Sequence, residues 1–184
     1  MITEKETTRI SKFLSLILRH DPAYIQLELD ENGWADIHTL IEGAKKRSVH
    51  LTTDLIDHIV ETNAKKRFSL NADKTKIRAN QGHSVSVDLQ YEAKIPPAIL
   101  YHGTAKKNLH SILANGLQKQ KRHHVHLSAD KETALAVGKR HGEPVVLLIA
   151  AEKMHADGFT FYISDNGVWL TDVVAAKYIN EYSQ

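Results

Sequence analysis

The chain has 184 residues, enough for one ordinary domain or two small lobes. A hydrophobic share of 42% with 25% charged residues excludes disordered, collagenous and coiled-coil chains. Lys+Arg 24 against Asp+Glu 22 leaves a net charge of +2, which excludes a broad cationic coat for nucleic acid. With no cysteine there are no disulfides, no thiol catalysis and no thiolate metal site, whereas 12 histidines are many for this length. No apolar run approaches the roughly 18 residues that span a bilayer, and the opening MITEKETTRISKF has no signal-peptide core. A cytoplasmic protein without membrane attachment is expected.

Charge divides evenly up to Pro96, with 14 residues of each sign, and the remainder carries 10 basic and 8 acidic. The doubled Pro96-Pro97 continues neither a helix nor a central strand, so it marks a boundary between lobes 1–95 and 96–184. In the first lobe, Ile10, Phe13, Leu14, Ile17 and Leu18 follow the spacing of one buried helical face. Asp21-Pro22 ends that helix, because a residue before proline is pushed out of the α region. A second helix starts at Asp36 as N-cap, with Ile37, Leu40 and Ile41 inward, and a third follows Thr52 or Thr53. Arg67 to Leu70 and Lys76 to Ala79 read as two strands around a turn-rich loop. Three helices and a hairpin form a winged-helix order.

The second lobe alternates short strands and helices. Strands are predicted at Ile99 to His102, Val125 to Ser128, Val145 to Ile149, Phe159 to Ile163, Val168 to Leu170 and Lys177 to Ile179. Helices are predicted around Leu109 to Leu113, ended by Gly116, and from Lys131 to Lys139 behind Asp130. The whole is an α+β protein.

Several clusters carry chemistry, each with a plainer alternative. Arg19-His20 closes the first helix, where two cations favour the macrodipole by roughly 0.3–1 kcal/mol each. The same pair is a forked guanidinium beside a titratable imidazole, suited to a phosphate. Arg78 to Ser84 is either a polar surface loop or an oxyanion-binding one, since Arg78, Gln81, His83 and Ser84 surround a flexible Gly82. In Tyr101-His102-Gly103-Thr104 the glycine would let backbone approach a flat ligand, and His102 and Thr104 suit ribose hydroxyls. The run His123-His124-Val125-His126-Leu127-Ser128 invites a metal reading, but no supporting carboxylate cluster accompanies it, and no metal is expected. Arg140-His141 ends a helix. Walker A, dinucleotide-fold and nucleophile-elbow motifs are absent.

In order and together, Arg19-His20 before Asp21-Pro22, Arg78 through Ser84, Tyr101 through Thr104, His124 through Ser128, Arg140, and Asn166 through Asp172 resemble the RNA 2′-phosphotransferase family. The resemblance covers essentially the whole chain. It implies an N-terminal winged-helix RNA lobe and a C-terminal ADP-ribosyltransferase-like lobe, with the active site between them, and NAD as co-substrate. The RNA 2′-phosphate would attack the anomeric carbon of the nicotinamide-side ribose and expel nicotinamide. The ribose 2″-hydroxyl would then attack phosphorus, giving 2′-hydroxyl RNA and ADP-ribose 1″,2″-cyclic phosphate. The family's catalytic set falls on Arg19, His20, Arg78 and Arg140. Its NAD cradle falls on His102, Gly103, Thr104 and Ser128, with His126 nearby and Asn115 as an addition. Gln81, His83 and Ser84 would help receive the phosphate or the flanking RNA.

Val168 stands at or near the place where many ADP-ribosyltransferases carry a glutamate, which would repel a phosphate dianion. Ala175-Ala176 falls where the family pattern has proline. The partners expected are RNA with an internal 2′-phosphate and NAD, acting on a monomer. Three alternatives stand beside this reading: an ADP-ribosyltransferase that caps terminal RNA or DNA phosphates, a non-catalytic winged-helix nucleic-acid binder, and a histidine-based metal protein.

Overall fold

The computed structural model describes residues 3–182. Its helices and small antiparallel sheets form two compact units, Met1–Gln90 and Tyr91–Gln184, so the division falls upstream of the doubled proline.

The first unit begins with α1 (Glu4–Arg19), capped by the Thr3 hydroxyl, which accepts from the Glu6 N–H. Its buried face carries Ile10, Leu14, Ile17 and Leu18. A 3-10 turn, Pro22–Ile25, follows directly, with the Asp21 carboxylate accepting from the Tyr24 N–H. Next come β1 (Ala35–Asp36), α2 (Ile37–Lys45), α3 (Thr53–Thr62), β2 (Phe68–Leu70) and β3 (Lys76–Ala79). Asp36 and Thr52 are the N-caps of α2 and α3, accepting from Thr39 and Leu55, as their sequence positions predict. The strands pair antiparallel in the order β1-β3-β2, Ile77 lying opposite both Ala35 and Leu70. A two-residue strand such as β1 has no periodicity to read, which is why the sequence shows only the hairpin. The core joins the α1 face to Leu40, Ile56, Ile59 and Ile77. Gly43 of α2 lets the 3-10 turn pack closely: a Cβ there would stand 2.7 Å from the Ile25 carbonyl oxygen.

The second unit runs β4 (Leu100–Ala105), α4 (Lys106–Asn115), β5 (Leu117–Gln118), β6 (Val125–Leu127), α5 (Lys131–Gly138), β7 (Pro144–Ile149), α6 (Ala151–Ala156), β8 (Tyr162–Ile163), β9 (Trp169–Thr171), β10 (Val173–Val174) and β11 (Ile179–Glu181). One sheet has the order β11-β7-β4, a second β6-β9-β8, and β5 pairs with β10. The continuous apolar run at 145–149 is the central strand of the first sheet, as such a run implies. Leu100, Leu127, Leu147, Ile149, Phe161 and Tyr178 form the core.

Three strand predictions shift. The strand expected from Phe159 is confined to Tyr162–Ile163, because Phe159 still bonds back to Met154 at the end of α6. Val168 stays in the β8–β9 turn, bonded to Ser164, and Lys177 lies in a 3-10 turn, Ala176–Tyr178, that leads into β11. Ala175 enters that turn with φ −66° and ψ 146°, so it holds the backbone angle that proline would impose.

Candidate functional site

Two groups of predicted residues come together, one in each unit. In the first, α1 ends at Arg19 with its last carbonyls lacking helical partners. The Arg19 carbonyl accepts from the N–H groups of Ser84 (2.8 Å) and Val85 (3.3 Å). This docks the loop after β3 onto the helix end. The His20 Nδ1 lies 2.9 Å from the Ser84 hydroxyl, a second tie between the same segments. Both motifs that the sequence singled out here are therefore one structural feature.

Arg78 projects from β3 over the ring of Trp34, with 4.6 Å from guanidinium carbon to ring centroid. The contact orients a fork whose Nε is shielded from solvent, as are Nε and Nη2 of Arg19. His83 is buried at 1% exposure, and its Nε2 packs within 3.5 Å of where a Gly33 Cβ would stand. Gly33 and Trp34 thus form the floor beneath Arg78 and His83. Sequence reasoning missed Trp34. The signal was present in Asn32-Gly33 just before an aromatic, a turn signature, and the turn is closed by Asp30, whose carboxylate accepts from the N–H groups of Asn32 and Trp34.

Asn80 lies in the same loop, but its amide is used internally. It donates to the Lys66 carbonyl at 2.7 Å and accepts from the Ser69 hydroxyl at 2.7 Å. Gln81 and Gly82 are half-buried at the loop's tip.

In the second unit the decisive link joins the two sheets. Tyr101 and Ser128 exchange both backbone hydrogen bonds, at 2.9 and 2.8 Å. That bridge sets His102 of β4 beside His126 of β6, and the His102 Nδ1–H donates to the His126 carbonyl at 3.0 Å. A carbonyl only accepts, so the proton sits on Nδ1. Burial pushes the His102 pKa down and keeps the ring neutral, which leaves Nε2 as an acceptor. The Arg122 guanidinium donates to the His126 Nδ1 at 3.2 Å, which places the proton of a neutral His126 on Nε2. One ring presents an acceptor nitrogen and the other a donor.

Gly103 meets a packing demand of the fold. A Cβ there would meet the Ala134 carbonyl oxygen of α5 at 1.6 Å, so the bare backbone is needed for α5 to lie on β4. Thr104 is buried, and its hydroxyl accepts from the Asn108 amide at 3.3 Å. Asn115 is exposed on the last turn of α4 and donates to the Ser111 carbonyl. Arg140 is exposed just past the end of α5, its N–H bonded to the Val137 carbonyl. His124 sits in edge contact with Tyr162 (5.5 Å) and Tyr91 (6.1 Å). Among the described residues no group of three or more His, Asp or Glu side chains is placed to hold a metal ion. No described helix is long and apolar enough to cross a membrane.

The family model described as RNA 2'-phosphotransferase, Tpt1 / KptA family, matches residues 5–173. The chain belongs to the RNA 2'-phosphotransferase family. It is 54% identical over 178 residues to a "Probable RNA 2'-phosphotransferase" of Flavobacterium johnsoniae, covering 97% of this chain and 98% of that one. Similar relatives of the same name occur in Acaryochloris marina, 53% identical with 97% and 98% covered, and in Pseudomonas fluorescens, 54% identical with the same coverage. The match to the family model spans both groups of residues.

Proposed function

We propose that this protein is an NAD-dependent RNA 2′-phosphotransferase, built from a winged-helix lobe and an ADP-ribosyltransferase-like lobe. Support for the first lobe is the order of three helices and a hairpin, with β1 added to the sheet. Support for the second is a pair of small sheets bridged beside His102. The observation that carries the reading is the docking of Ser84 and Val85 on the Arg19 carbonyl, which unites Arg19, His20 and the Arg78 loop.

Arg19 and Arg78 are suited to a phosphate dianion. A guanidinium stays charged at any working pH and grips two oxygens at once, each charge-assisted bond contributing roughly 1.5–3 kcal/mol. Trp34 beneath Arg78 fixes the plane of the fork. The family pattern adds Arg140 to this set. The bound 2′-phosphate is already a nucleophile, so the first displacement asks only for alignment with the ribose anomeric carbon. The neutral His102 offers Nε2 to a ribose hydroxyl proton, and Ser128, Thr104 and His126 offer further polar groups of the kind a dinucleotide needs. NAD would supply the good leaving group, nicotinamide, at that carbon.

In the second displacement a new bond forms between the ribose 2″-oxygen and phosphorus while the bond from phosphorus to the RNA 2′-oxygen breaks. The hydroxyl loses one proton and the RNA oxygen gains one. His20, held by Ser84, is the group we assign to carry it, and the arginines stabilise charge spread over the phosphoryl oxygens.

The test is incubation with NAD and an RNA bearing an internal 2′-phosphate. Cyclic phosphate product is expected from the wild type, and Arg78→Ala should abolish it. A stable ADP-ribosylated RNA would indicate an enzyme that stops after the first step. No NAD consumption would overturn the enzymatic reading.

A further inference from the structure

Beyond the phosphate-receiving residues, the first unit carries an exposed basic run held against an exposed aromatic ring. Lys45, Lys46 and Arg47 stand in a row at the end of α2, all exposed. Among the described residues none of the three forms an ion pair, and no acidic residue occurs between Glu42 and Asp54. One cation at a helix C-terminus complements the dipole, but three exceed that need. They form a local run of positive charge in a half of the chain that is neutral as a whole.

Arg47 is not a floating side chain. Its guanidinium lies over the Tyr24 ring, 4.5 Å from the centroid, and its Nε donates to the Tyr24 carbonyl at 3.0 Å. Tyr24 itself is 42% exposed, unusual for an aromatic residue. The 3-10 turn that holds it is fixed on both sides, by Asp21 capping at one end and by the close approach of Gly43 to Ile25 at the other. A rigid aromatic ring with a stacked guanidinium, and two exposed lysines just before that arginine in the chain, is what an unpaired nucleobase and its phosphates require. Tyr24 lies four residues beyond His20, so no more than about 14 Å of backbone separates them.

We propose that the Tyr24–Arg47 stack, flanked by Lys45 and Lys46, is a platform for single-stranded RNA adjoining the phosphate-receiving group. The ring takes one base face, and the three cations take the neighbouring backbone phosphates. The inference rests on the functional reading above for its choice of RNA, and it places part of substrate affinity outside the reacting residues.

The test is fluorescence anisotropy without NAD, using a short unstructured RNA that carries an internal 2′-phosphate, alongside thermal melting of each variant. Tyr24→Leu and Arg47→Ala should each weaken binding about tenfold, as loss of one stacked base does. Tyr24→Phe should bind as the wild type does, and Arg47→Lys should fall between. Lys45→Ala with Lys46→Ala should reduce the slope of log affinity against log salt by about 1.4, two single-strand phosphates. Turnover of a dinucleotide bearing the 2′-phosphate should fall less in Tyr24→Leu than turnover of the longer RNA, since it offers a single further base, and an equal fall in both would count against the platform. Equal affinity for the longer RNA in all variants, or losses that follow melting temperature alone, would overturn the platform. If the wild type removes no 2′-phosphate while Tyr24→Leu still loses RNA, the platform stands and the catalytic reading falls.

Discussion

At the scale of single residues, some side chains matter through the neighbours they hold in place. Trp34 is the clearest case, since its ring orients the guanidinium of Arg78. Replacing it by leucine keeps apolar bulk but removes the π face, a loss of roughly 0.5–2 kcal/mol for a partly desolvated pair. Trp34→Leu should therefore lower kcat/KM for 2′-phosphorylated RNA by about two- to thirtyfold, with Trp34→Phe recovering most of it. Equal rates in leucine and phenylalanine variants would show that the ring only fills space. Arg19, His20, Arg78, His83 and Ser84 were legible in the sequence because polar residues of these kinds are uncommon together. Trp34 was not, because its role exists only once β1 lies beside β3 and brings residue 34 under residue 78. Gly103 was legible as important but for another reason: the demand comes from a helix about thirty residues later, and no local pattern encodes that contact.

At the scale of elements, caps and apolar periodicity carry most of the fold. Asp36, Thr52 and Asp130 mark helix starts that the structure confirms, and Gly116 marks the end of α4. The two-residue strands β1, β5 and β10 and the six-residue α6 are not legible in the sequence, because they are shorter than the periods that reveal helices and strands. The packing of α5 on β4 leaves no room for a side chain at residue 103. Gly103→Ala would drive a methyl into the Ala134 carbonyl and should cost about 3 kcal/mol or more, measurable by chemical denaturation. The opposite sign is expected at Ala175, whose backbone angle already matches proline and whose predecessor is extended in β10. Ala175→Pro should raise stability by about 0.4–1 kcal/mol through a less flexible unfolded chain, seen as a higher Tm. A lower Tm would mean that the proline ring collides with Gly116.

For the whole molecule, titration links stability to pH in two separate windows. Burial holds the His102 and His124 pKa values below the ordinary 6.5. The unfolded chain takes up protons there that the folded one refuses, so their contribution is complete above about pH 6.5 and declines as pH falls through that value. Asp36, held below 3.8 first by its bond from the Thr39 N–H, acts only in the carboxylate range. Melting temperature should thus be level above neutrality and begin to fall near pH 6.5, and His102→Asn, which keeps a donor for the His126 carbonyl, should flatten that first decline. An unchanged profile would show that His102 titrates normally. The tie between Ser84 and the end of α1 also bears on how the molecule reaches its native state. It closes 65 residues of chain, enclosing every other element of the first unit's sheet and both later helices. Contacts of such separation form after local ones. The helices and hairpin are therefore expected to assemble before Ser84 docks on the Arg19 carbonyl. In pulse-labelled hydrogen exchange during refolding, the Ser84 amide should gain protection later than the amides of α1, and earlier protection would reverse that order. The chain would then pass through a stage that is folded but chemically inert, with competence arriving on a single backbone junction.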